Sequence, residues 1–557
     1  MKPPHRRPRE PFVLAACAAA VAAALVWLGP PGNDLAAHVY QRGLFLDHGF
    51  VLWNNFWYAG RYSFVTYSLL YYPAAALVGI RLLAVLSAAA AALAFCLVAG
   101  REWGSSAKWA SRMFAPAAGA AVITGAFPYA LGSAVALTAL ATLQAHRYRT
   151  FGILVALTLA VSPLAFLLLV VVLAGLAAAR RGRALVRPVV AVAGSALAAA
   201  ALWRIFPDGG RFPFPAEELV AAVGFCTAGL ALTWHVERAR PLRFVFGAYL
   251  LACTVAYLVP SGLGENVVRL RFVAVPLAAL TLSLRRWQPL PVAVAAMALA
   301  LSWNATPLAF SFARGAADPS ANAAYWAPAI GYLRHELRPS YRVEAVDTAG
   351  HWDAVYLADA GIPLARGWFR QDDFPQNAAL YRDLSSRSYL RWLRRLGVGY
   401  VVLTAAPPDY SSRGEATLLR SGRSGLAPVF REGPTTIFAV PAPRRIVTGP
   451  GSPRVLVLSP SGIRVTVGRP GSYRLAVRYS PYWRADGACV TEAADGMVKL
   501  QTRRAGEIRL LFEVTPDRAI ATLAGAGHAC EQDGSAQPGP PHRELPLAAA
   551  LGASGVG

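Results

Sequence analysis

The sequence predicts a polytopic α-helical membrane domain of about eleven spans, followed by an extracytoplasmic α/β module and a C-terminal β-sandwich. Three observations carry this. The 557 residues are 55% hydrophobic and only 15% charged, with a mean hydropathy of +0.40, whereas soluble domains carry about 25% charged residues. Apolar runs of roughly 17–25 residues, long enough to cross hydrocarbon, recur as far as Leu308 and then stop. Beyond that point the sequence becomes mixed strand and turn, and from about residue 446 its hydrophobic period is two.

The candidate spans are 12–29, 81–99, 113–125, 128–145, 151–161, 163–179, 188–206, 217–235, 244–260, 272–284 and 289–308. The first, "VLAACAAAVAAALVWLG", has the composition of a signal-peptide core, but further spans follow it, so it reads as a retained helix. Cationic loops stay on the cytoplasmic side. With the N-terminus inside, the cytoplasmic segments hold 18 Lys and Arg against 7 in the outward loops. Eleven spans then leave the C-terminal modules outside a bacterial cytoplasmic membrane. The segments 113–125 and 151–161 are too short to cross alone. Pro116, Pro128 and Pro163 beside them point to broken helices buried against neighbours.

The formal charge of +24 comes almost wholly from arginine, since Lys2, Lys108 and Lys499 are the only lysines. That bias, with abundant Ala and Gly, fits a high-GC bacterial genome. No basic stripe interleaved with stacking aromatics appears, which argues against a nucleic-acid partner. Four cysteines, Cys17, Cys96, Cys226 and Cys253, lie in apolar spans. Cys489 and Cys530 lie in the outer module, where oxidation is permitted, and are the candidate disulfide. No CxxC or HExxH arrangement offers a metal alternative.

Outside the membrane domain (1–308), residues 309–445 read as the α/β module. "YRVEAVDT", "GVGYVVLT" and "TTIFAV" are short buried strands, and "SYLRWLRRLG" is an amphipathic helix ending at Gly397. Residues 446–543 alternate as half-buried strands joined by Gly/Pro turns, which predicts the sandwich, and 544–557 is a loose tail.

The most informative stretch is "GNDLAAHVYQRGLFLDHGFVLWNNFWYAGRY", Gly32 to Tyr62, directly behind the first span. Asp34 and His38 are four apart, on one face of a helix. Trp53, Trp57 and Tyr58 suit the lipid–water boundary. One reading is an interfacial anchor in which Asp34 only caps the helix that follows. Capping leaves Asp34, His38, Asp47, Asn54 and Arg61 crowded at a span end without explanation, and ionisable groups at membrane depth mark functional sites by default.

This arrangement resembles the GT-C superfamily, integral-membrane glycosyltransferases that use polyprenyl-phosphate sugars. The shared features are an acidic residue just after the first span, interfacial helices, many spans and an extracytoplasmic C-terminal part. Within it, the Asn33–Arg61 stretch resembles bacterial membrane proteins named as related to 6-pyruvoyl-tetrahydropterin synthase. The zinc-binding His cluster of that soluble enzyme is missing, so its chemistry is rejected. The resemblance implies that Asp34 is a general base taking the proton of an acceptor hydroxyl. It also implies a lipid-linked sugar donor, a glycan or lipid acceptor, and substrate contacts from His38, Asp47, Trp53, Asn54, Trp57, Tyr58 and Arg61. Asp47 reads equally as a second acid, a metal ligand or a surface cap. A divalent cation stays open, because the chain lacks an unambiguous ligand set.

A departing polyprenyl phosphate needs a cation at the outer face. The outward loop "PSGLGENVVRLRF" offers Arg269 for the phosphate, with Arg271 in support, Glu265 orienting one of them, and Asn266 beside them. Arginines snorkelling to headgroups are the plainer alternative. Arg42 and Arg61 are weaker rivals. In the outer module, His351, Trp352, Arg366 and Trp368 are candidate acceptor-binding residues, with Asp353 and Arg370 nearby, or else they simply pack the modules together. Two other functions compete with sugar transfer. A lipid-linked glycan flippase would place charges within several spans and show inverted repeats, and neither is visible. A non-catalytic envelope-assembly protein on the same fold is the other, since fold does not settle activity.

Overall fold

A computed structural model describes residues 9–180, 186–208 and 210–525. The expected tail 544–557 and Cys530, one half of the candidate disulfide, lie outside the described residues.

Eight helical stretches among these residues are long and apolar enough to cross a membrane, the first at Glu10–Leu28 and the last at Leu290–Ala316. That is three fewer than the eleven expected spans. Two expected spans fall in the single stretch Ile80–Thr124, and Tyr148–Val161 and Pro163–Ala179 are shorter apolar helices. The prolines act mainly at helix starts. Pro128 and Pro163 occupy the first turns of Phe127–Gln144 and Pro163–Ala179, where the missing N–H costs nothing. Of these three, only Pro116 sits inside its helix, Lys108–Ala120. The first span packs on Ile80–Trp103 and Lys108–Ala120 through fully buried alanines such as Ala18, Ala22 and Ala110, small residues that let helices approach closely without a hydrophobic driving force.

After Asp34 the chain forms the helix Leu35–His48 and a small antiparallel pair, β1 (Trp53–Asn54) and β2 (Arg61–Tyr62). Beyond the last span, β3 (Arg342–Ala345), β4 (Val398–Thr404), β5 (Ala427–Glu432) and β6 (Thr435–Ala439) make a mixed sheet ordered β3-β4-β6-β5. Only β3 and β4 are parallel. The helix Ser386–Leu396 returns the chain from β3 towards β4 and stops at Gly397, whose φ of 76° is the left-handed C-terminal signal.

Then follow β7 (Val447–Thr448), β8 (Arg454–Ser459), β9 (Gly462–Val467), β10 (Gly471–Arg478), β11 (Trp483–Ala485), β12 (Ala488–Glu492), β13 (Met497–Thr502) and β14 (Gly506–Phe512). They form two antiparallel sheets, β12-β13-β10-β7 and β11-β14-β9-β8. Alternate residues of both, among them Leu475, Val498, Val465 and Leu510, share one buried core, as period-two strands with one apolar face require.

The loop behind the first span belongs to these cores. Trp53 enters the sandwich core, stacked on Phe512 at 4.8 Å and edge-on to Trp483 at 5.6 Å. Trp57 stacks on Tyr40 at 4.3 Å and donates to the Ala354 carbonyl at 2.8 Å, while the Tyr58 hydroxyl donates to the Gly367 carbonyl at 2.7 Å. All three side chains are at most 1% exposed. They therefore do not lie at a lipid boundary as expected. They join the membrane helices to both C-terminal modules, because large amphipathic rings are most stabilising where the body is buried and the polar tip has a partner.

Candidate active site at the foot of the C-terminal modules

Asp34 follows the turn "GPPGN" that ends the first span. Its backbone N–H donates to the Thr124 carbonyl at 3.0 Å. Gly125, at φ +77°, packs so close that an added Cβ would come within 2.6 Å of Leu35 N and 3.1 Å of the Asp34 carbonyl carbon. Two helix ends thus interlock and fix this backbone. Asp34 occupies the N-cap position of Leu35–His48, yet its side chain makes no capping hydrogen bond. Its Oδ2 instead accepts from Arg269 Nη2 at 2.9 Å.

Arg269 lies on Gly264–Val273, a ten-residue 3-10 segment; such runs are rarely longer than three or four residues and mark functional or strained sites. The Arg269 Nε donates to Asn266 Oδ1 at 3.1 Å, and its guanidinium lies 5.7 Å from the Tyr129 ring. Asn266, rather than the expected Glu265, orients this arginine. Arg271 pairs with Glu218 at 2.8 Å. Glu265 lines the same cavity without an ion pair among the described residues.

These groups line a cavity of about 850 Å³. Its floor and walls are helix ends on one side of the bundle: Asp34 after the first span, Thr124 and Tyr129, Ser162 and Glu218. Its roof is the α/β module, through His351, Trp368, Arg370 and Asp409. The roof is itself an ionic cluster. The His351 Nδ1 lies 2.8 Å from Asp347, and Arg370 pairs with Asp347 and, at 3.2 Å, with Asp409. The Arg370 charge, followed by His351, holds the Asp409 carboxyl well below the usual carboxylate range despite its burial.

Several expected site residues lie elsewhere. His38 is fully buried behind the cavity, with Nδ1 3.2 Å from the Tyr72 hydroxyl; burial, and then the Arg269 charge, hold its pKa down at about 3, so it is a neutral packing group. Asp47 is exposed near the far end of its helix. Thirteen residues at about 100° each put it on roughly the opposite face from Asp34. Trp53, Asn54, Trp57 and Tyr58 are welds rather than lining residues; the Asn54 amide donates to the Tyr40 hydroxyl at 3.0 Å. Arg61 is buried against Asp372 at 2.5 Å and Asp208 at 3.7 Å, and Arg42 donates to the Ala75 carbonyl. Among the candidates of the α/β module, His351 and Trp368 reach the cavity, whereas Trp352 stacks on Tyr356 in the module's core. Arg366 spans two buried carboxylates, Glu344 and Glu415, at 2.7 Å each.

Several lining groups are not singled out by the sequence, among them Glu217, Glu218, Arg314, Asp409 and Tyr410. Glu217 and Glu218 open a span, which was a legible signal, since acidic groups there need a reason. Asp409 and Tyr410 come from a loop with no periodicity to expose them. Among the described residues no three His, Cys, Asp or Glu gather as a metal site.

No protein-family model and no curated protein matches the chain. Among solved structures it is similar to two cryo-EM structures of the arabinofuranosyltransferase AftD from mycobacteria. A mutant form shows a TM-score of 0.45 at 18% identity over 80% of this chain. The structure titled without a mutation shows 0.44 at 17% over 85%. The alignment covers 42% of each AftD chain, so this protein spans less than half the length of those chains.

Proposed function

We propose that the chain transfers a sugar from a polyprenyl-phosphate donor to a cell-envelope glycan or lipid acceptor, on the outer face of a bacterial cytoplasmic membrane. The observation carrying this reading is the Asp34–Arg269 pair, 2.9 Å apart in the lining of a cavity between helix ends and an ordered roof. Only Oδ2 of Asp34 is taken by Arg269; Oδ1 has no hydrogen-bond partner among the described residues and is available to accept a proton. In the reaction, the acceptor hydroxyl oxygen attacks the anomeric carbon and its proton passes to Asp34. The bond from that carbon to the phosphate oxygen breaks, with inversion, and the phosphate leaves as an anion beside Arg269. One carboxylate suffices, because no covalent intermediate forms. Trp368 and His351 line the roof and would offer an acceptor sugar an aromatic face and a hydrogen-bonding ring.

The test uses membranes containing the full chain, supplied with a panel of radiolabelled polyprenyl-phosphate sugars. Asp34→Asn keeps the side chain's shape and removes its basicity, so transfer should fall by at least 100-fold, the scale of general-base catalysis, with insertion unchanged. Transfer at the wild-type rate would overturn the assignment. Glycan moving across sealed vesicles with no new glycosidic bond would replace it with transport.

A further inference from the structure

The arginines lining the cavity are not equivalent. Arg269 is matched by Asp34, Arg271 by Glu218, and Arg370 by Asp347 and Asp409. Arg314 also lines the cavity, in the last turn of the last span, and its side chain has no ion pair or hydrogen bond among the described residues. Its guanidinium lies 4.7 Å from the Phe310 ring, a contact that leaves all five of its donors unused.

Below Arg314, one face of the same helix runs along the cavity: Leu299, Ser302, Trp303, Thr306, Phe310 and Arg314. These positions follow the three- and four-residue spacing of a single helical stripe, and fifteen residues rise by about 22 Å. Pro307, inside the helix, also faces the cavity. Leu299 and Phe310 are 40% and 58% exposed although they sit on a membrane-crossing helix. Protein therefore leaves surface of both residues uncovered along the cavity, where an alkyl chain has room to pack. A lane of Leu299, Trp303, Phe310 and two hydroxyl side chains, ending in a guanidinium with no ion pair among the described residues, suits a chain-linked phosphate.

We infer that Arg314 anchors the phosphate of the lipid-linked substrate, with the chain lying along the last span from Phe310 towards Leu299. The inference rests on the sugar-transfer reading for what the lipid carries, and it divides the labour between two cations. Arg314 holds the single charge of the bound donor. Arg269, neutralised by Asp34 beforehand, meets the second charge that appears as the sugar leaves.

Binding to the purified full-length protein in detergent, followed by microscale thermophoresis, tests this without any transfer step. The probes are farnesyl phosphate, farnesol, inorganic phosphate and phosphatidylglycerol. Arg314→Gln should weaken farnesyl phosphate at least 10-fold and leave farnesol unchanged, and Arg314→Lys should stay within about three-fold of wild type. Thr306→Leu, which narrows the lane without adding charge, should weaken farnesyl phosphate and farnesol alike. Wild-type affinity in Arg314→Gln overturns the assignment. So does inorganic phosphate binding as tightly as farnesyl phosphate, which removes the lane, or equal competition by phosphatidylglycerol, which makes the contact a bulk headgroup site. Loss of binding in Arg314→Gln with unimpaired sugar transfer overturns this inference alone. Intact, Arg314-dependent binding with no transfer from any donor overturns the sugar-transfer reading alone.

Discussion

The Trp368 indole donates its N–H to the Asn33 carbonyl at 3.2 Å, so the roof of the cavity is tied to the residue that precedes Asp34. A module more than 300 residues away in sequence thereby helps to place the carboxylate. Trp368→Phe keeps an aromatic face and deletes the tie. A neutral hydrogen bond contributes about 1 kcal/mol, so the transfer rate should fall roughly five-fold while the melting temperature moves by only a degree or two. An unchanged rate would make the tie incidental.

Gly125→Ala tests the interlock beneath Asp34. A Cβ there meets Leu35 N at 2.6 Å, and the left-handed φ of +77° adds strain of about 1–2 kcal/mol. Displacing a reacting group by about 1 Å costs on the order of 100-fold in rate. That loss should appear in transfer assays on a protein that still inserts. Gly43→Ala, where an added Cβ meets nothing within 4 Å, is the control and should be silent.

Arg366→Ala separates structure from recognition. If this arginine bound acceptor, its loss would give a stable, inactive protein. With Glu344 and Glu415 both buried against it, removal strands two carboxylates, and breaking such a pair costs about 3–5 kcal/mol. The expected result is a lowered melting temperature and poor yield, read by fluorescence-detected size exclusion during heating.

The Arg61–Asp208–Asp372 cluster predicts a pH dependence. Burial, and then the Asp372 charge, push the Asp208 pKa up to about 7, against the pull of Arg61 and Arg478. Between about 4 and about 7 the unfolded chain has lost this proton and the folded chain keeps it, so stability falls as pH rises through that window. The melting temperature of the detergent-solubilised protein should therefore be higher at pH 5.5 than at pH 7.5 as far as this site is concerned. Asp208→Asn should flatten the slope, and a slope identical to wild type would remove Asp208 as its source.

The membrane helices were legible because a span advertises itself by length and apolarity, and the sheets because their period is two. The approach of Asp34 to Arg269 followed from less. Each is an ionisable group at a span end on the same expected side, and a bundle brings such ends together. What stayed hidden has identifiable reasons. A Trp-rich loop has the same composition whether it floats at a headgroup layer or fills a protein core, so the sequence alone does not separate the two settings for Trp53 and Trp57. Asp47 is near Asp34 in sequence, but the helical angle between them carries it to an exposed face, as its surface-cap reading requires. In sequence Arg314 is one more basic group before a module boundary, and only the folded cavity shows that it has no ion-pair partner among the described residues.

The residues from Asn33 to Tyr62 are built into the membrane bundle, the α/β module and the sandwich at once. Swapping the C-terminal half onto another bundle would thus orphan a hydrophobic plug on one side and leave an empty socket on the other. A viable chimera has to carry this thirty-residue keystone across together with the half that it locks.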